Sequence, residues 1–273
     1  MGKLYLVGTP IGNLGDFSKR AIETLKTVDY IAAEDTRVTQ KLLNHFEIKN
    51  KAISFHQHNE HEKAPEIVND ILSGKSVALV TDAGMPAISD PGEHLVQLAH
   101  EKGAKIESVP GPTAMATAVA LSGLYTGRFS FEGFLSTNKT NRFEHLEEIK
   151  NHRETLVFYE APHKLLATLK DMLKVLGNRK ISVIKELTKI HETVFLTTLQ
   201  EAVNYFSENQ PKGEYVLVIE GAKKEEIKEQ YTLEDAVNLA KKLKAEGLKT
   251  ADAAKEAAKV SGIKKSEIYK EIL

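Results

Sequence analysis

Short apolar runs alternating with helix-period stretches organise the first half of the chain. "KLYLV" at 3–7 is apolar and β-prone, and "YIAAED", "SVALVT" and "KIESVP" repeat that texture further on. "SVALVT" is continuously apolar rather than alternating, the pattern of a strand covered on both faces. Across 17–28, Ala21, Ile22, Leu25 and Val28 recur at helical spacing and predict a helix. Strands alternating with helices predict a parallel or mostly parallel sheet. Another helix is expected after "SDPGE": Asp90 as N-cap, Pro91 at the first helical position and Glu93 three residues past the cap, followed by an apolar face of Leu95, Leu98 and Ala99.

The pattern changes near Leu124. "YTGRFSFEGFLSTNKTNR" mixes aromatic, glycine and polar residues, and a domain boundary is placed there. A second α/β unit follows: strand "ETLVFYE", helix "HKLLATLKDML", strand "KISVIKE", β-prone "ETVFLTTL", helix "QEAVNYF" and strand "GEYVLVIEG". Its sheet is expected to be mixed. The lysine–glutamate run from Gly221 to Glu229 reads as a linker. Three helical segments close the chain, the first capped by Thr232 or Asp235 and ended by Gly247. The expected organisation is an α/β domain at 1–124, a second at 125–222 and a basic helical segment at 230–273.

Composition narrows the function classes. The 273 residues carry a net charge of −1, so bulk charge does not announce a polyanionic partner. Locally the balance differs: residues 239–273 hold nine lysines against five acidic residues, and such a face either stays solvated or grips a phosphate backbone. Gly262 in a turn, followed by Lys264, Lys265 and Tyr269, gives this end a helix-turn-helix spacing. The absence of cysteine excludes disulfides and thiolate metal sites and accords with a cytoplasmic location. No apolar run approaches the roughly 18 residues of a membrane span. "SFHQHNEHE" holds His56, His58 and His61; His56 and His58 share a face if the segment is a strand. The segment lacks zinc-site spacing, so no metal is expected there. His56, His58 and His61, with Asn59 and Glu60, are instead expected at a polar cleft edge.

Three loops follow strands in the first half: "GTPIGNLGD", "DAGMPAISDPG" and "GPTAMA". Ligands of open α/β sheets sit where such loops gather. Glycine lets main chain approach a ligand, and proline stiffens it. Neither GxxxxGK[ST] nor GxGxxG is present, so a P-loop nucleotide and a dinucleotide are disfavoured.

Six motifs in order, "VGTPIGNLGD", "AAEDTR", "LVTDAGMPAISDPG", "VPGPTA", "FYEAPHKLL" and "KELTKIHE", resemble a ribosomal-RNA-methylating group within the tetrapyrrole-methylase family. The resemblance spans nearly the whole chain. It implies two α/β domains, S-adenosyl-L-methionine between them, a homodimer, and methyl transfer to the 2′-hydroxyl of a cytidine in the decoding region of small-subunit (16S) ribosomal RNA. It also implies site residues. Pro10 closes the first loop over the cofactor, Ala83, Gly84 and Met85 approach its methionine part, and Ile88 forms an apolar wall. Thr113 and Ala114 match the third loop; Tyr159, Glu160 and Leu187 close the adenosine side. Where relatives carry glycine-glycine-aspartate before the loop proline, this chain has "AGM". The acid that would hold the amino group is therefore displaced to Asp82 or Asp90.

A ribose hydroxyl needs a general base or an electrostatic helper. Asp35 and Arg37, directly after a buried strand, are the first candidates, and Arg37 suits an RNA phosphate equally. Glu186 and Lys189 come next; His163 in "YEAPHK" is a further polar candidate. Two other functions fit parts of the pattern: a tetrapyrrole C-methyltransferase and a non-catalytic RNA-binding assembly factor.

Overall fold

A computed structural model describes residues 2–223 and 232–273. The expected linker falls mostly outside the described residues. The chain divides into two compact units, Met1–Ala222 and Lys223–Leu273.

The first unit contains two five-stranded sheets. In the first, β1 (Lys3–Val7), β2 (Tyr30–Ala33), β3 (Ala52–Ser54), β4 (Val77–Val80) and β5 (Lys105–Val109) run parallel in the order β3-β2-β4-β1-β5. Helices α1 (Lys19–Thr27), α2 (Thr36–His45), α3 (Glu60–Leu72), α4 (Glu93–Glu101) and α5 (Ala114–Leu121) connect and follow these strands. The continuous apolar run of β4 is explained by its two neighbours. Val77 and Leu79 pack with Ile67, Ile71 and Leu95 of α3 and α4. Ala78 and Val80 pack on the opposite side with Ala21, Leu25 and Leu43 of α1 and α2. Since all five strands run the same way, their carboxyl ends and following loops gather on one edge.

Two expectations fail here. Asp90 does not cap α4; Gly92 does, at φ +131°, and Gly92 has no side chain to offer. The exposed N–H groups are instead met from α3: Glu60 Oε1 accepts from Gly92 N, His94 N and Leu95 N at 3.0, 3.1 and 3.4 Å. A carboxylate at a helix N-terminus also complements the helix dipole. Secondly, β3 ends at Ser54, so His56 and His58 share no strand face. Asn59 bonds His56 N and Ser54 O, which makes Asn59 and Glu60 supports of the fold rather than a cleft edge.

The second sheet holds β6 (Phe129–Phe134), β7 (Thr155–Glu160), β8 (Lys180–Lys185), β9 (Thr193–Thr198) and β10 (Tyr215–Ile219) in the order β6-β7-β10-β8-β9. Only β6 and β7 pair in parallel, so this sheet is mixed, as expected. One face packs against α6 (Lys139–Ile149), α7 (Leu165–Leu176) and α8 (Leu199–Glu208). On the other face, Val157, Ile184, Val216 and Val218 meet Ala118 and Val119 of α5. That second contact brings the sheet over the loop edge of the first.

The second unit is three helices, α9 (Leu233–Ala245), α10 (Thr250–Ser261) and α11 (Lys265–Ile272). Thr232 and Asp235 form a capping box at the start of α9, and Gly262 ends α10 in the left-handed region at φ +72°. Ala236, Ala240, Ala254 and Ala257 let the helices approach closely around Ile268 and Ile272. Lys241, Lys255, Lys259, Lys264, Lys265 and Lys270 remain exposed.

Candidate active site

The loops after β1, β4 and β5 lock together through main chain. Thr9 N donates to Gly84 O at 2.9 Å and Gly84 N to Thr9 O at 3.2 Å. Thr9 Oγ1 donates to Thr81 O at 3.0 Å. A Cβ on Gly8 would lie 2.7 Å from Gly111 Cα, so the first and third loops touch only because both residues are glycine. Gly84 sits at φ +88°, where a side chain is strained.

Above this floor lies a cavity of about 470 Å³. The first sheet's loops contribute Ile11, Ala83, Gly84, Met85, Ile88, Asp90, Thr113, Ala114 and Met115; the second sheet contributes Phe134, Tyr159, Glu160, Ile184, Leu187, Glu214 and Val216. Tyr159 ties the two halves: its hydroxyl accepts from Met115 N at 3.1 Å, and its ring packs edge-on against Phe131 and Phe134. Burial pushes the Tyr159 phenol up. The first loop reaches the second sheet too, where Asn13 Nδ2 donates to Thr188 O at 3.4 Å. Gly12 packs so tightly on the Lys189 stem that a Cβ would fall 2.7 Å from Lys189 Cγ.

The structure thus gathers Ala83, Gly84, Met85, Ile88, Thr113, Ala114, Tyr159, Glu160 and Leu187 around one cavity. Pro10 and Asp82 are not among its lining. They line a second cavity of about 370 Å³, because consecutive residues of an extended loop face opposite ways. Ile11, Met115, Phe134, Ile184 and Val216 were not anticipated. The signal for Ile184 and Val216 is strand alternation, which becomes readable only once the covered face is known.

The charged groups have distinct partners. Arg37 Nη2 holds Asp35 Oδ2 at 2.6 Å, and Asp35 caps α2 by accepting from Arg37 N at 2.8 Å. These bonds from Arg37 bring the Asp35 carboxyl down to about 2. Neither residue lines the larger cavity. Lys189 bridges Glu186 at 3.0 Å and Glu214 at 2.8 Å. Partial burial opposes the Lys189 charge, but Glu214 and Glu186 outweigh it and raise its pKa. Glu186 is lowered, first by the N–H of Glu214 and then by Lys189. Glu160 is buried, accepting from Ala161 N and Thr168 Oγ1. Asp90 differs from all of these. Burial, reinforced by the nearby Glu34 charge, pushes its carboxyl up to about 6. Among the described residues no cluster of His, Cys, Asp or Glu is arranged to hold a metal ion.

A family model described as Tetrapyrrole (Corrin/Porphyrin) Methylases matches residues 3–203. The chain belongs to the tetrapyrrole methylase family. Ribosomal RNA small subunit methyltransferase I of Synechocystis sp. is 47% identical over 98% of this chain and 96% of its own length. The protein of that name from Bacillus subtilis is 42% identical, covering 98% and 93%. Two solved structures share the fold at low identity. Diphthine synthase has a TM-score of 0.62 at 16% identity, over 81% of this chain and 90% of that one. Uroporphyrin-III-C-methyltransferase from Thermus thermophilus has a TM-score of 0.57 at 18%, over 80% and 94%.

S-adenosylmethionine is the methyl donor of this family. The larger cavity suits it chemically. The glycine-bearing floor presents main-chain polar groups, Ile88, Ile184 and Leu187 give apolar walls, Tyr159 an aromatic one, and Asp90 an acid for a cationic ligand.

Proposed function

We propose that this protein methylates small-subunit ribosomal RNA from S-adenosylmethionine, at the 2′-hydroxyl of a cytidine in the decoding region. The observation that carries the reading is the rigid, glycine-floored cavity, formed by the motifs shared with that family. Relatives at 42–47% identity named for small-subunit ribosomal RNA support the substrate class.

When bound, S-adenosylmethionine supplies an electrophilic methyl group on a sulfonium centre. Ala83 to Met85 fix its position, and such orientation is worth about 7–11 kcal/mol of barrier in favourable cases. Asp90 serves as the proton acceptor. The proton of the ribose hydroxyl would pass to the Asp90 carboxylate, which lines the same cavity as Ala83 to Met85. A carboxyl near 6 is matched to that task, whereas one held near 2 by a guanidinium is a weak acceptor. Asp35 and Arg37 accordingly take a supporting role at the RNA side, and Lys189 with Glu186 fixes the first loop against the second sheet.

The remaining expectations belong to the same reading. The two sheets act as separate domains meeting near residue 124, the helical unit grips RNA backbone through its exposed lysines, and the protein works in the cytoplasm as a homodimer. In support of the dimer, the outer strand β9 leaves Val194, Phe195 and Leu196 exposed; paired or covered edges are the usual state of such strands.

The test is to incubate the protein with labelled methyl donor and small subunits from a strain lacking it, then map the modified nucleotide. A labelled cytidine ribose supports the reading. Label on a tetrapyrrole supplied in a parallel reaction, with none on the subunits, or subunit binding with no transfer, would favour one of the two alternatives.

A further inference from the structure

The second cavity has a composition that the cofactor reading leaves unexplained. It is lined by Pro10, Gly12 and Leu14 of the first loop, by one face of α2, and by Thr81 and Asp82 after β4. The α2 contribution is Val38, Lys41, Leu42 and His45, spaced as successive turns of one helix face, with Thr39 beside them. Pro10, Leu14, Val38 and Leu42 give it apolar wall, with Leu14 and Val38 exposed at the surface. Charge is sorted along it. On the β4 side, the exposed Asp82 lies beside Glu34; partial desolvation and the Glu34 charge raise its pKa, and its Oδ1 accepts from Asp35 N at 3.1 Å. On the α2 side, Lys41 and His45 are exposed, and the Arg37 side chain is 87% exposed nearby on the same helix.

An acid on the wall after β4 and cations on the α2 wall disfavour a simple anion. They suit a ligand with a flat apolar body, an amino group at one end and a phosphate at the other. The place of this cavity narrows the ligand further. Pro10 and Ile11, and likewise Asp82 and Ala83, are chain neighbours that line the two different cavities. The mutual bonds of Thr9 and Gly84 join the loops that form the wall between them.

We propose that the second cavity binds one unstacked nucleotide of the RNA substrate, flanking the one that is methylated. An amino-bearing base, cytosine or adenine, faces Asp82, and its phosphates face Lys41, His45 and Arg37. Single-stranded RNA is commonly read by such splayed-out bases, with carboxylates accepting from exocyclic amino groups. The proposal rests on the RNA-methylating reading above.

Two variants test it with the full-length protein, small subunits and labelled methyl donor. Val38→Trp fills the cavity mouth; Lys41→Glu reverses one cation on an exposed helix face. Each is expected to raise the KM for subunits by about 10-fold while leaving the S-adenosylmethionine Kd unchanged, as loss of one base contact or one phosphate contact would. Lys41→Glu is also expected to lower the salt slope of binding by about one. Wild-type KM in both variants overturns the subsite. An effect of Lys41→Glu alone marks a general electrostatic surface and overturns it too, as does a weakened cofactor Kd in Val38→Trp. Failure of the parent reading is separate: the unmodified protein itself would then transfer no methyl group to RNA.

Discussion

Asp90 carries the chemistry of this account, and its titration gives a signed prediction. Its carboxyl lies near 6 in the folded protein, against about 3.9 for a free aspartate. A raised folded-state value means that the proton prefers the folded chain. The resulting stabilisation is present below about pH 4, is lost as pH rises to about 6, and is absent beyond it. Asp90→Asn should therefore raise the thermal midpoint of the cofactor-free protein at about pH 8, with the gain vanishing below about pH 4. In the same variant methyl transfer should fall by about 10²–10⁴-fold. In the unmodified protein the rate should drop as pH falls through about 6. A pH series of melting curves and single-turnover rates checks both signs. Gly111 gives a second test. A Cβ there would sit 2.9 Å from Gly8 main chain, so Gly111→Ala should destabilise the protein by about 1–3 kcal/mol and weaken cofactor binding. Denaturant melts and calorimetry read these separately. The sequence offered Asp90 as an acid for the cofactor's amino group, but not as a proton acceptor. The sequence marks Asp90 as a helix cap, because Asp-Pro-Gly-Glu is the usual start of a helix; only the tertiary approach of Glu60 frees it from that duty.

Elements with strong periodicity were readable, and those without it were not. The central strands β1, β4, β7 and β10 and helices α1, α7 and α8 follow from apolar runs and helical spacing, since each buries a continuous surface. The expectations did not resolve β3, β6, α2, α3 and α6. β3 is two half-buried residues and an exposed serine, and β6 is an edge strand with a register shift between Phe131 and Gly133, so neither shows clean alternation. α2 begins inside the charged "AEDTR" motif, which drew attention to its chemistry and away from its period. Nine expected cofactor contacts share the cavity because they lie at the ends of strands, on the loops that follow them, or, for Ala114, at the start of α5. Pro10 and Asp82 fall on the other side of the same loops, a parity that spacing does not reveal. The bond from α3 to α4 also makes a prediction. Glu60→Ala removes the acceptor for three main-chain N–H groups and should cost about 1–2 kcal/mol, read from the midpoint of urea unfolding.

For the molecule as a whole, the chain forms two compact units. The first contains both sheets and the cavity; the second presents lysines around an alanine-rich three-helix core. Removing residues 231–273 should weaken RNA binding and flatten its salt dependence, with cofactor affinity unchanged. Filter binding across a salt series, alongside calorimetry, separates the two effects. Sedimentation should show a dimer that Leu196→Lys, on the exposed outer strand, shifts toward monomer. Placement of the methyl donor underlies the chemistry of this account, and a crystal structure of the protein grown with S-adenosylmethionine examines it most directly. The donor is predicted to lie between residues 83–88 and Tyr159, in the larger cavity and on the glycine floor. Density for it in the second cavity, or anywhere outside the larger one, would contradict the account.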